Sequence, residues 1–251
     1  MKIHCFGDPK DPVLVLLHPM LLNGQVMIES IGKKLQGSYY MIATDQAGHG
    51  EDDSLYSPRD DAEELKKYLL EHGFNEIELL YAASMGGLTA MELIKLGGIR
   101  YHSVHLDGIP LAPIKGFNNL FARITYQFAW NKARKDPSSF VSLFSPAYGD
   151  ENGAVMAAQF GKLSKQNLKR VLDACAAGCA VTLTEDQCPH MIFDWGSKEI
   201  NYRQGKPLAE KLYPWAKHIV RENFGHCEYL GKKPDSYALE LTKEVNCEGS
   251  V

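Results

Sequence analysis

Glu76-Ile-Glu-Leu-Leu-Tyr-Ala-Ala-Ser-Met-Gly-Gly-Leu-Thr-Ala90 is the stretch whose reading decides the fold. Its first half, Ile77–Tyr81, reads as a buried strand, and its second half opens a helix with Leu88, Met91 and Ile94 on one side. Ser84 stands between them with no residues left over for a loop. A turn this sharp strains the backbone of the serine and crowds its neighbours, so the residues two before and two after it must be small. Ala82 and Gly86 meet that need. The turn leaves the hydroxyl at the carboxyl end of the strand and aims the first helical N–H groups at whatever the serine attacks. A plain helix start with Ser84 as its cap is the competing reading of the same residues.

Working outward, short apolar runs alternate with amphipathic helices. Val13–His18, Tyr40–Thr44, Ser103–Leu106 and Met191–Phe193 read as further buried strands, and the more polar His218–Asn223 as a sheet edge. Gln25–Leu35 forms a helix behind an Asn23 cap, and Asp60–His72 another that stops at Gly73. Such alternation implies crossover connections and an α/β protein: a mostly parallel sheet with helices on both faces and its site beyond the carboxyl ends of the strands. Between about 111 and 185 the alternation stops and helical patterns follow one another. Phe117, Leu120, Phe121, Ile124 and Phe128 share one face, expected to be the packing face of an inserted helical cap. The core is then 1–110 and 186–251.

Composition agrees with one ordinary globular domain: 251 residues, 45% hydrophobic and 23% charged, with 22 Gly and 12 Pro. A chain of this length hides roughly 70–75% of its unfolded surface, enough for a large core without staples. Lys plus Arg number 27 against 31 Asp plus Glu, a net charge of -4 with the signs interspersed. That balance leads to the expectation of no nucleic-acid partner and no membrane. No apolar run approaches the roughly 20 residues that span a bilayer, and the first residues carry no signal-peptide pattern, so a cytoplasmic protein is expected. Cys5, Cys175, Cys179, Cys188, Cys227 and Cys247 form no C-x-x-C pair and no zinc spacing, and are expected to be free thiols.

Five motifs in order then mark a resemblance. Leu14-Val-Leu-Leu-His-Pro19, Asp45-Gln-Ala-Gly-His-Gly50, the Ser84 turn, Gly196-Ser-Lys-Glu199 and Gly225-His226-Cys-Glu-Tyr-Leu230 together resemble the α/β-hydrolase superfamily of the serine type, with a helical cap. A serine hydroxyl is a poor nucleophile at neutral pH, so it needs a histidine to take its proton and a carboxylate to orient that histidine. In this fold the order is serine, acid, histidine. His226, in a loop after the last candidate strand, fits the base. Resemblance places the acid three residues after a glycine, which selects Glu199 after Gly196; Asp194 and then Asp107 are the alternatives. Resemblance also implies an oxyanion hole from the backbone N–H groups of Met85 and Met20. Relatives carry His-Gly where this chain has His18-Pro19, so a proline stiffens the donor loop without occupying the donor position. His18 and His49 are expected to pin loops rather than to react.

The expected activity is hydrolysis of an ester, thioester or similar acyl bond of a small molecule, with no metal and no organic cofactor. Carbon–carbon bond hydrolases, lyases and acyltransferases use the same three residues and remain alternatives. Serine at the elbow excludes the dehalogenases of this fold, which carry aspartate there. From a different class comes a ligand-binding protein on the same scaffold, for which Pro19 and Ala82 speak as departures from the commonest residues. Phe117, Phe121, Tyr126, Phe128 and Trp130 favour an apolar or aromatic acyl group. Oligomeric state is not legible.

Overall fold

The structure, a computed structural model, describes residues 1–246. Seven strands form one sheet among these residues: β1 (Lys2–Phe6), β2 (Val13–Leu17), β3 (Tyr40–Asp45), β4 (Glu76–Ala83), β5 (Arg100–Asp107), β6 (Met191–Gly196) and β7 (Lys217–Arg221). Their order is β1-β3-β2-β4-β5-β6-β7. Only β1 runs antiparallel, against β3; the other pairs are parallel. Every side chain of β2 and β3 is buried, as expected of central strands covered on both faces. The edge strand β1 escaped the sequence reading because its residues are half-buried or exposed and show no apolar run.

Side-chain alternation splits the core in two. Val13, Val15 and Leu17 point to a cluster with α2 (Pro58–Glu71), α3 (Gly86–Leu96) and α8 (Ile200–Leu212). Leu14 and Leu16 point to the other, with α1 (Gly24–Ser30) and α10 (Pro234–Asn246). Each such leucine contributes about 1.5–3 kcal/mol by leaving water. Asn23 caps α1 by accepting from the Val26 N–H, as the sequence implies. Helix α2 starts two residues earlier than expected, because Ser57 caps it and Pro58 supplies a preset first turn.

Four helices lie between β5 and β6: α4 (Gly116–Ala133), α5 (Val141–Tyr148), α6 (Asp150–Lys162) and α7 (Lys165–Ala177). Trp130, Ala133, Met156, Phe160 and Leu168 bury together, and Leu21 and Leu22, from the loop after β2, join them. The buried Asn167 ties α7 to the core, accepting from the Tyr56 N–H (2.9 Å) and donating to the Ser54 carbonyl (3.0 Å). A short α9 (Glu228–Lys232) precedes α10.

The expected packing face of α4 is corrected by the structure. Phe117, Leu120, Phe121, Ile124 and Phe128 are 77%, 57%, 61%, 61% and 75% exposed, and the opposite side of the helix, with Trp130 and Ala133, is the buried one. Trp130 also satisfies its indole N–H on the Leu163 carbonyl (2.7 Å), a contact that fixes the rotation of the helix. Cys5, Cys175, Cys179, Cys188 and Cys227 are free, while Cys247 lies outside the described residues. Among the described residues no helix is long and apolar enough to cross a membrane.

Candidate active site

Ser84 follows β4 directly, and its φ is +48°, a left-handed value that costs a non-glycine residue about 1–2 kcal/mol. The strain is held by the neighbouring strand, since the Ser84 N–H donates to the Asp107 carbonyl at 2.7 Å. A Cβ on Gly86 would sit 2.6 Å from the Leu17 carbonyl oxygen and 2.9 Å from that of His18, so helix α3 can start this close to β2 only with glycine.

The Ser84 hydroxyl donates to His226 Nε2 (2.7 Å), and His226 Nδ1 donates to Glu199 Oε2 (2.5 Å). The carboxylate beside Nδ1 fixes the neutral tautomer with Nε2 free to accept. The second Glu199 oxygen accepts from the Gly196 N–H at 2.9 Å. That bond explains the glycine-plus-three spacing: the carboxylate folds back onto the end of its own strand while reaching across to the histidine. Glu199 also stands at the N-terminus of α8, where negative charge is favoured. The histidine loop is held by Tyr148, whose hydroxyl donates to the His226 carbonyl (3.0 Å). Burial alone would lower the His226 pKa, but the Glu199 bond and charge and the Asp107 charge raise it more, and it lies above its ordinary 6.5.

The two alternative acids are occupied elsewhere. Asp194 is buried and clasped by Arg221, whose Nε and Nη2 donate to it at 2.6–3.0 Å, with His105 Nε2 at 3.3 Å. Asp107 Oδ2 accepts from the Tyr81 and Tyr237 hydroxyls at 3.0 and 3.1 Å. Burial first, then the charges of Asp194 and Glu199, push Asp107 up to about 7 against the pull of His105 and His226.

On the other side of Ser84, the Gln46 N–H donates to His18 Nε2 (3.0 Å), so His18 Nδ1 carries a hydrogen and donates to the Pro19 carbonyl (2.7 Å). Burial lowers His18 to about 4, keeping it neutral. The Pro19–Met20 peptide is trans, so the Met20 N–H points opposite to the Pro19 carbonyl, and Met20 and Ser84 line the same cavity. Met85 is the N-cap residue of α3 and follows Ser84 directly. His49 is buried, 5.3 Å from the His18 ring, with Nδ1 on the Ala47 carbonyl. Both histidines hold loops and neither reaches Ser84.

Sequence reasoning missed Gly108. Its φ is +60°, and a Cβ there would lie 2.9 Å from His226 Nδ1 and 3.0 Å from Glu199 Oε2. The Asp107-Gly108 pair at a strand end was the available signal, a dipeptide typical of turns. Asn201, also missed, donates to the Gly108 carbonyl at 2.8 Å. Gly108→Ala is expected to lose about 1–2 kcal/mol from the φ alone and about 10²-fold in turnover by displacing the histidine. Urea unfolding and steady-state kinetics read the two effects separately.

Ser84 and His226 open into a cavity of about 490 Å³ between the sheet and the inserted helices. Its walls are mostly apolar, with Met20, Leu21, Phe144, Met156 and Leu172, and Asn119, Arg123, Lys198 and Asn201 are the polar points. Of the aromatic residues expected to favour an apolar substrate, only Tyr126 lines it; Phe117, Phe121 and Phe128 face away, and Trp130 is packed among the helices. Among the described residues no group of three or more His, Cys, Asp or Glu side chains is placed to hold a metal ion.

No protein-family model matches the chain, and no curated protein sequence matches it. Solved structures do resemble it. An alpha/beta hydrolase family protein from Desulfitobacterium hafniense superposes with a TM-score of 0.72 at 21% identity, covering 97% of this chain and 99% of that one. A structure from a study of carboxylesterases of the thaumarchaeon Nitrososphaera gargenis gives 0.74 at 15%, over 100% and 96%. An esterase from Exiguobacterium antarcticum gives 0.73 at 15%, over 97% and 94%. With the sheet order and the strained serine turn, these end-to-end likenesses identify the chain as a protein of α/β-hydrolase fold.

Proposed function

We propose that the protein is a serine hydrolase that cleaves an ester, thioester or similar acyl bond of a small molecule through an acyl-enzyme on Ser84. What carries this reading is the unbroken run of hydrogen bonds from Ser84 Oγ through His226 to Glu199, ending in a mostly apolar cavity. The esterases among the structural neighbours support it.

In the first half-reaction Ser84 Oγ attacks the acyl carbon while His226 Nε2 takes the hydroxyl proton, and the Met20 and Met85 N–H groups receive the negative charge forming on the carbonyl oxygen. The imidazolium, steadied by Glu199, then gives its proton to the leaving group, and the acyl group stays on Ser84. In the second half a water, deprotonated by His226, attacks the acyl-serine; its proton returns to Ser84 as the acid departs. The steps use only residues of this chain and water.

The test is intact-mass analysis after incubation with a fluorophosphonate, followed by peptide mapping. One adduct on Ser84, greatly slowed in His226→Ala, is the expected result. A folded protein that takes no adduct would move the ligand-binding reading ahead.

A further inference from the structure

Among the described residues the outward face of α4 has no partner. Phe117, Leu120, Phe121, Ile124 and Phe128 recur at helical spacing along one stripe of a helix about 27 Å long, each more than half exposed, and the Phe117 and Phe121 rings stack at 6.2 Å. A run of apolar side chains of this size on a surface marks an interaction site.

Charge identifies what covers it. Between Asp107 and Asp136 the chain carries Lys115, Arg123, Lys132, Arg134 and Lys135 and not one acid, although the signs alternate elsewhere. Arg123 is neutralised by Asp173 of α7 at 2.5 Å. Lys115, Lys132, Arg134 and Lys135 have no ion-pair partner among the described residues. Lys132 and Arg134 instead lie over the Phe140 and Trp130 rings, at 5.6 and 5.0 Å. A second copy docked by its own α4 would bring two uncompensated sets of cations together. A surface of anionic headgroups over acyl chains answers both features, taking the phenylalanines at its apolar boundary and the exposed Lys132 and Lys135 at its phosphates.

We propose that α4 is an interfacial helix that seats the protein on an anionic lipid surface. This reverses the expectation of no membrane, which rested on the charge balance of the whole chain and not of this segment. The opposite face of the same helix contributes Asn119, Arg123 and Tyr126 to the cavity wall, so a docked α4 stands between the lipid and Ser84. The docking itself is independent of the catalytic reading.

Co-sedimentation of the full chain with phosphatidylcholine vesicles, and with vesicles half phosphatidylserine, tests it. Binding to the anionic vesicles about tenfold or more tighter than to the neutral ones, weakened by salt, is expected. Phe121→Ser with Phe128→Ser, and separately Lys132→Glu with Lys135→Glu, are each expected to weaken that binding by about tenfold or more. All these side chains are at the surface, and circular dichroism checks that both variants fold. Absence of binding, or variants that bind as well as the parent, would overturn the proposal. A dimer in sedimentation equilibrium that Phe121→Ser with Phe128→Ser dissociates, without vesicle binding, would overturn it in favour of a second copy.

Discussion

Replacing Ser84 or His226 by Ala is expected to lower kcat/KM by about 10⁴–10⁶-fold, and Glu199→Gln by about 10³–10⁴-fold. The three losses should not add. The side chains form one hydrogen-bonded unit, Ser84 to His226 at 2.7 Å and His226 to Glu199 at 2.5 Å, and once the unit is broken only the backbone donors and the cavity continue to help. Glu199→Gln keeps the shape and the Gly196 contact but lets the amide present N–H to Nδ1, which favours the wrong tautomer. Ester turnover by each single variant and by the Ser84→Ala/His226→Ala double variant measures this. A double loss equal to the product of the singles would mean that the residues act separately.

Glu199→Gln carries a second, independent readout. His226 must be neutral to take a proton, so kcat/KM rises with pH through the histidine pKa. Burial lowers that pKa and the charges of Glu199 and Asp107 raise it more, so the acid limb of the parent lies above 6.5. Removing the Glu199 charge leaves burial less opposed, and the limb of the residual activity is expected to move to lower pH. A limb that stays in place would show that Glu199 does not face the catalytic base.

The serine turn was legible because its constraints are local. A strand that runs straight into a helix needs small residues two before and two after the serine, and Ala82 and Gly86 stand at those positions. Glu199 was chosen over Asp194 and Asp107 by resemblance, and the Gly196 N–H bond now supplies the physical reason. The direction of α4 was not legible. Periodicity says which residues share a side of a helix, and here two sides are apolar, with Trp130 and Ala133 on one and Phe121 and Phe128 on the other. Which one turns inward is decided by Phe160, Leu163 and Leu168, many residues later. Gly108 was equally hidden, because its need for glycine comes from two side chains contributed by distant loops.

Asp194 separates structure from chemistry most sharply. Asp194→Asn is expected to destabilise the fold by about 3–5 kcal/mol, since breaking one side of a buried ion pair strands the other charge. Arg221 donates three hydrogen bonds to this carboxylate, and His105, held between Asp194 and Glu244, would also lose a counter-charge. Burial opposes the charged His105, yet Glu244 and Asp194 lift it to about 10, so its contribution is complete below its ordinary 6.5 and fades as pH rises through about 10. Burial would raise Asp194, yet His105 and Arg221 hold it below its ordinary 3.8, so its contribution is present above 3.8 and fades at lower pH. The stability gap between parent and variant should therefore be widest between about 4 and 6.5, shrink as pH rises from there through about 10, and narrow again below about 4. Urea unfolding across that range measures it, alongside turnover per folded molecule, which should be retained because the carboxylate faces Arg221 and not His226. Turnover that collapsed while stability held would transfer the acid role from Glu199 to Asp194.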